Sequence, residues 1–266
     1  MFLGQVMAGN CSCQETLPKA LAWLFAEKGE KASSDTGGYC KARKRLKRRW
    51  VEGLQSTLAS TLQSAAGDRG LWQGRPVKIV DGSSVSMPDT AANPKRYPQP
   101  KGQQKGCGFP VLRLTAMFSL ATGAIGAFAY DALRVHERTL FRRLWNHFAA
   151  GDVALTDRGF ISFADVSLLS QRGVDSVMRK PSRLGAGLRK TQRLGRGDWL
   201  MVWKKPRVCP TWLKRQQWES LPDEMTVRQI TVHVHVPGFR SQTIVLITTL
   251  LDPKAFPTRA FADLYR

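Results

Sequence analysis

Apolar positions follow helical spacing through the first 70 residues and strand spacing after them. Leu17, Ala20, Leu21, Leu24 and Phe25 form one stripe, and Leu46, Trp50, Leu54, Leu58 and Leu62 recur every four residues, the period of one helix face. Ser33 to Gly38 is expected as the loop between these helices. From Leu71 the text changes: Val77 to Val80 is a short β-prone run, closed by Asp81-Gly82-Ser83. Val111 to Tyr130 is almost wholly apolar and about as long as a membrane span. Arg113 and the internal A-T-G-A-I-G argue instead for two adjacent buried strands joined at Ala121 to Ala124.

His136 to Phe148 is expected as a helix with Leu140, Phe141, Leu144, Trp145 and Phe148 on one face. Asp152 to Thr156 follows as a strand ending at Asp157. Ser162 with Asp165 has the form of a capping box opening a helix through Leu169, and Asp175 to Met178 returns as a strand. This order suits an α/β fold with a mixed sheet and helices on its faces. W-L-M-V-W, T-V-R-Q-I-T-V-H-V-H-V and Q-T-I-V-L-I-T-T-L then form a β-rich stretch, and Thr258 opens a last helix. The expected domains are a helical region over 1–70, a core over 71–178, a β-rich insertion over 179–250, and the start of a C-terminal core helix over 251–266.

Charge narrows the class of partner. The chain has 41 Lys and Arg against 20 Asp and Glu, a net charge of +21, which suits a polyanion. A content of 42% hydrophobic residues is too apolar for a disordered basic tail. Five cysteines, Cys11, Cys13, Cys40, Cys107 and Cys209, lack C-x-x-C or zinc-finger spacing, so neither a disulfide framework nor a structural zinc is expected. A reduced cytosolic interior is the simpler reading, and the apolar N-terminus has no basic flank, so secretion is not expected.

Two aspartates carry the candidate chemistry: Asp81 in V-K-I-V-D-G-S and Asp157 in V-A-L-T-D-R-G. Neighbouring strands would bring them side by side, where carboxylates can hold Mg2+, a hard ion that keeps several waters. Two such ions can activate a nucleophile and stabilise a leaving oxygen in phosphoryl transfer. A strand-end Asp is equally a turn or capping residue. The run K-A-R-K-R-L-K-R-R, with Lys41, Arg43, Lys44, Arg45, Lys47, Arg48 and Arg49 at the start of the second helix, can dock along a phosphate backbone. The Pro-rich loop Pro88 to Pro110, with Lys95, Arg96, Lys101 and Lys105, is expected to grip a strand near Asp81. Arg179 to Lys205 adds Arg183, Arg189, Lys190, Arg193 and Arg196 beside Trp199 and Trp203. Those rings are either core residues or stacking platforms for bases. His233 and His235 have a spacing that can bind metal, or lie on a solvated strand.

V-D-G-S-S-V-S-M-P-D-T, Y-P-Q-P, G-F-P-V-L-R-L, F-S-L-A-T-G-A and G-D-V-A-L-T-D-R, with later L-G-R-G-D-W-L-M-V-W-K-K-P, P-G-F-R and T-T-L-L-D-P-K-A-F-P, resemble the bacterial insertion-sequence transposases of the DDE family, insertion-sequence-four branch. The resemblance covers nearly the whole chain and implies an RNase H-like core with N-terminal helices and a β-rich insertion that grips the element end. It also implies double-stranded DNA as partner, a homodimeric synaptic complex, and Mg2+, for which Mn2+ substitutes. Asp81 and Asp157 would be the first two members of the DDE triad. The family glutamate lies in a Y-x2-R-x3-E-x6-K signature of which only Tyr265 is matched, so the glutamate is expected beyond Arg266 and the chain as a catalytically incomplete fragment. Asp89, Asp131, Glu137 and Asp252 are the candidates to replace it. The other reading is a noncatalytic DNA-binding protein that inhibits transposition.

Overall fold

The computed structural model describes residues 1–9, 11–99, 102, 104, 108–160, 162–181, 184, 187–234 and 242–265. The chain divides into two compact units, Met1–Gln55 and Ser56–Arg266.

The first unit is helical. Helix α1 (Phe2–Met7) precedes α2 (Cys13–Lys28), whose Ser12 cap and Glu15 satisfy each other's backbone N–H groups in a capping box. Gly29 ends α2 in the left-handed region at φ 67°, where a glycine carries no steric cost. Asp35 caps α3 (Thr36–Arg45) by accepting from the Gly37 N–H, so of the loop expected over Ser33 to Gly38 the part from Thr36 on already belongs to a helix. The basic run does not lie on one helix. Leu46 turns extended (φ −61°, ψ 113°) and α4 (Arg48–Ala66) starts anew. The stripe along α4 stays open to solvent, with Trp50 at 66% exposure and Leu58 at 54%.

The second unit is built on a nine-stranded sheet ordered β3-β2-β1-β4-β5-β9-β8-β7-β6. Its strands are β1 (Val77–Ser86), β2 (Val111–Ser119), β3 (Ile125–Ala132), β4 (Val153–Thr156), β5 (Asp175–Arg179), β6 (Leu188–Gly195), β7 (Asp198–Lys204), β8 (Glu224–Val234) and β9 (Gln242–Thr248). β1 pairs with β4, and β4 with β5, in parallel, while all other neighbours are antiparallel. This is the mixed α/β, RNase H-like arrangement. The hairpin read from Val111 to Tyr130 is present as β2 and β3, and no described helix is long and apolar enough to cross a membrane. The β-rich stretch continues the same sheet through β9, which bridges β5 and β8.

One expectation fails at the site. The first strand does not end at Asp81-Gly82-Ser83 but runs on to Ser86, because β2 pairs with it as far as Ser86 opposite Val111. Local text marks a turn; a nonlocal partner overrides it.

Helices cover both faces. Helix α5 (Asn93–Arg96) is a single turn in the Pro-rich segment. Helices α6 (Glu137–Arg143) and α7 (Phe163–Gln171) pack on one face through Phe141, Leu144, Leu169, Val80, Met117 and Ala154. The expected helix to Phe148 ends at Arg143 and continues as a 3-10 turn over Trp145–His147. Helix α8 (Arg215–Glu219) adds Trp218 to a neighbouring cluster with Trp203 and Phe163. The other face carries α9 (Thr258–Asp263), whose Phe261 is fully buried among Val77, Val153, Leu155, Ile230 and Leu246.

Candidate functional site

Strand alternation places the two aspartates. Val77 and Ile79 point to the α9 face and Val80 to the α6 face, so Asp81 returns to the α9 side. In β4, Val153 and Leu155 also face α9, and Asp157 follows them in phase. Val80 pairs with Thr156, so the next residue on each chain is an aspartate. The two lie on adjacent parallel strands, about 4.8 Å apart in strand spacing, on one face and at the level where β4 and its pairing with β1 end. Both are open to solvent: Asp81 is exposed and the Asp157 side chain keeps 51% of its surface.

Three further groups surround the pair. Arg179, at the end of β5, sets its Nε 3.9 Å from Asp157 Oδ1. Tyr265, after α9, has a buried hydroxyl without a hydrogen-bond partner among the described residues. Burial pushes its pKa well up, opposed by Arg179 and reinforced by Asp157, so the phenol is a neutral donor beside the carboxylate. Glu137 opens α6 on the opposite face, under Gly82 and near Gly159: a Cβ on Gly82 would fall 2.8 Å from Glu137 Cδ, and one on Gly159 3.9 Å from its Oε2. Arg113 holds this carboxylate at 3.8 Å. Arg179 was present in the sequence without a signal that joined it to Asp157, because the strand order that unites them is nonlocal, whereas Tyr265 was marked by the family signature alone. The Gly after Asp81 was a usable signal, since strand interiors rarely keep glycine without a close neighbour.

The exposed pair suits a divalent cation held by two carboxylate oxygens with water completing the shell. Among the described residues no three His, Cys, Asp or Glu side chains are grouped to hold an ion, and Glu137 is therefore not a third ligand in this arrangement. Asp131 is engaged elsewhere, accepting from Arg143 at 2.8 Å. Asp252 caps a turn through the Lys254 N–H, and Asp89 lies in the Pro-rich segment beyond β1.

The basic residues fall in both units. In the first unit Lys41, Arg43, Lys44, Arg45, Lys47, Arg48 and Arg49 are all exposed. Arg43, Lys44 and Arg45 form the last turn of α3, where cations complement the helix dipole. Arg43 also donates to Gln5 Oε1 at 3.2 Å, and Arg48 pairs with Glu52 at 2.9 Å. In the second unit Arg189, Lys190 and Arg193 lie on β6, the outermost strand, and Arg196 on the turn after it, all exposed. Trp199 is half-buried, with Lys190 Nζ 4.5 Å and the Arg193 guanidinium 5.8 Å from its ring, whereas Trp203 is a core residue. His233 Nδ1 meets Thr243 Oγ1 at 3.0 Å. His235, Arg183, Lys101, Lys105 and Cys107 lie outside the described residues.

The chain is similar to the transposase InsG for insertion sequence element IS4 of Escherichia coli (strain K12), 25% identical over 194 residues, 73% of this chain and 42% of the relative. The chain thus spans about two-fifths of the length of that relative. The family model for the transposase DDE domain matches residues 72–266, which include both aspartates, the whole sheet and α9. With nearly three quarters of its length matched, the chain belongs to the transposase DDE domain family.

Proposed function

We propose that these 266 residues bind double-stranded DNA and hold a divalent cation, Mg2+ with Mn2+ as substitute, between Asp81 and Asp157, as two carboxylates of a DDE transposase site. The observation that carries the reading is the placement of both aspartates on adjacent parallel strands, on one face and at the level where β4 ends. When bound, such an ion stabilises charge on oxygens around phosphorus. Asp81 and Asp157 fix its position. Arg179 supplies a cation beside Asp157 for a phosphate oxygen, and Tyr265 keeps a proton available for a hydrogen bond. Lys41 through Arg49 on one unit and Arg189, Lys190, Arg193 and Arg196 on the other supply phosphate contacts, which fix position on a duplex without reading its sequence. We further propose a homodimer in a synaptic complex on the nucleoid, and that strand cleavage needs a third carboxylate from outside the described residues.

A second reading, a noncatalytic DNA binder that competes for element ends, is favoured by the absence of a third grouped acid among the described residues. A nicking assay on supercoiled plasmid with Mn2+ separates the two. It compares the 266 residues, their Asp81→Ala variant and a chain extended past Arg266. Nicking by the extended chain alone supports the transposase reading with a third acid supplied later. Binding without nicking by any form supports the inhibitor. Nicking that Asp81→Ala leaves unchanged would remove the aspartate pair from the chemistry.

A further inference from the structure

The face that carries Asp81 and Asp157 continues under α9 to a second feature at the same edge of the sheet. β8 runs in the direction of β4, since β5 is parallel to β4, β9 antiparallel to β5, and β8 antiparallel to β9. The register carries Thr156 to Met178, Ile247 and Gln229 in turn. Asp157 is therefore level with Ile230, three strand spacings or about 14 Å away, and Val232 lies further toward the edge. There a cavity of about 730 Å3 opens, lined by Arg196 and Gly197 of the β6–β7 turn, by Thr231 to His233 of β8, and by Thr258, Arg259 and Ala262 of α9.

Its electrostatics are one-sided. Among the described residues no carboxylate lines it. Arg196 and Arg259 are both exposed, and neither has an ion pair among the described residues. Two acids adjoin lining residues in the chain: Asp198 is already neutralised, since Arg228 donates to both its oxygens at 2.8 and 2.5 Å and Thr258 Oγ1 reaches it at 3.3 Å, and Asp263, beside Ala262, is engaged with a partner of its own. Two guanidinium groups without an ion pair among the described residues, on one recess, match the tetrahedral oxygens of a phosphodiester. The other end of the same element places Tyr265 beside Asp157, seven residues and about 10 Å of helical rise from Thr258.

We propose that this cavity seats a backbone phosphate of the DNA that lies across the aspartate pair, with Arg196 and Arg259 as its two donors. The proposal rests on the reading of this chain as a DNA-binding transposase domain, and it adds Arg259 and a defined position to that reading. The cavity acts as a second grip along the sheet edge, fixing which phosphate stands over Asp81 and Asp157.

The test is fluorescence anisotropy of a labelled duplex against salt, from about 0.05 to 0.2 M. It uses the full 266 residues, Arg196→Gln, Arg259→Gln, the double variant and Arg215→Gln as control, a residue on α8 paired with Glu219. Each lost phosphate contact lowers the slope of log K on log salt by about 0.9, which corresponds to about fivefold weaker binding near 0.15 M salt. The double variant is expected to lose about two contacts' worth, uniformly across duplex sequences, while the control keeps the parent slope. Failure of the parent chain to bind DNA at all would sink the functional reading. Binding by the parent with an unchanged slope in the double variant overturns the cavity alone. Calorimetry with inorganic phosphate is the companion measurement: phosphate binding that Arg259→Gln abolishes, beside unaltered DNA affinity, would make this a free-anion site and overturn the proposal.

Discussion

Glu137 occupies the space above the Cα of Gly82, so that a methyl there would meet its Cδ at 2.8 Å and its Cγ at 3.1 Å. The obstacle is the end of a flexible side chain, which can rotate away. Gly82→Ala is therefore expected to cost little stability, under about 1 kcal/mol, and to displace the carboxylate from its place beside Arg113. Gly70 offers a contrast: its added methyl would come 2.2 Å from the Ala121 Cβ and 3.3 Å from its Cα. That neighbour has no rotamer to give, so Gly70→Ala is expected to cost about 1–3 kcal/mol. Urea midpoints of the two variants check this, and equal destabilisation would contradict the geometry.

Arg228 is fully buried and clamps Asp198 with two hydrogen bonds, while its Nη1 donates to the Phe256 carbonyl at 2.8 Å and its guanidinium lies 5.6 Å from the Phe261 ring. One residue thus joins β8, β7 and the approach to α9. Arg228→Met keeps volume but leaves the Asp198 charge buried with only Thr258 near it. Breaking one side of a buried pair costs about 3–5 kcal/mol. The expected result is a lower denaturation midpoint together with protease sensitivity around α9, whose packing places Tyr265.

Much of this was legible locally and some was not. The strand leading into Asp81, the strand end before Asp157, the Val111 to Tyr130 hairpin and the start of α7 at Ser162 follow from alternation, turn text and capping, all of which act over a few residues. Ser162 indeed accepts from the Asp165 N–H at 3.2 Å, but the Asp165 carboxylate is held by Arg142 at 2.7 Å and not by the cap backbone. The extension of β1 past Asp81 depends on β2, about thirty positions later, and the break at Leu46 and Lys47 has no Gly or Pro to announce it. Arg228 sits in T-V-R-Q-I, where alternation marks a core position and residue type marks a surface one. Only the partner Asp198, across the sheet, resolves the conflict.

His136 couples pH to α6. Its Nδ1 caps the helix by accepting from the Arg138 N–H at 3.2 Å. Burial, then Arg138 and Arg113, lower its pKa below the ordinary 6.5. A histidine depressed in the folded state contributes stability that is fully present above the unfolded pKa and is lost as pH falls through the folded one. Stability is thus expected to drop from about pH 6.5 downward, as protonation also removes the cap acceptor. His136→Asn retains an acceptor that does not titrate and should flatten this part of the profile. Urea midpoints for the two proteins between about pH 7 and 5 provide the check, and parallel curves would assign the loss to other groups.

In the helical unit, Cys13 Sγ and Cys40 Sγ stand 3.8 Å apart, and Arg43 Nη1 is 3.6 Å from Cys13 Sγ. The hydrogen bond from Cys40 to Cys13 is the largest cause raising the Cys40 pKa above its usual value, followed by burial and the charge of Cys13. The thiolate is the nucleophile, so alkylation of Cys40 by iodoacetamide is expected to lag behind an ordinary exposed cysteine and to accelerate at more alkaline pH than usual. Cys13→Ala removes the leading cause and should return the Cys40 profile toward the ordinary range. Peptide mass spectrometry after timed labelling reads each cysteine separately. An unchanged Cys40 profile in Cys13→Ala would mean that burial, and not the neighbouring sulfur, sets its reactivity.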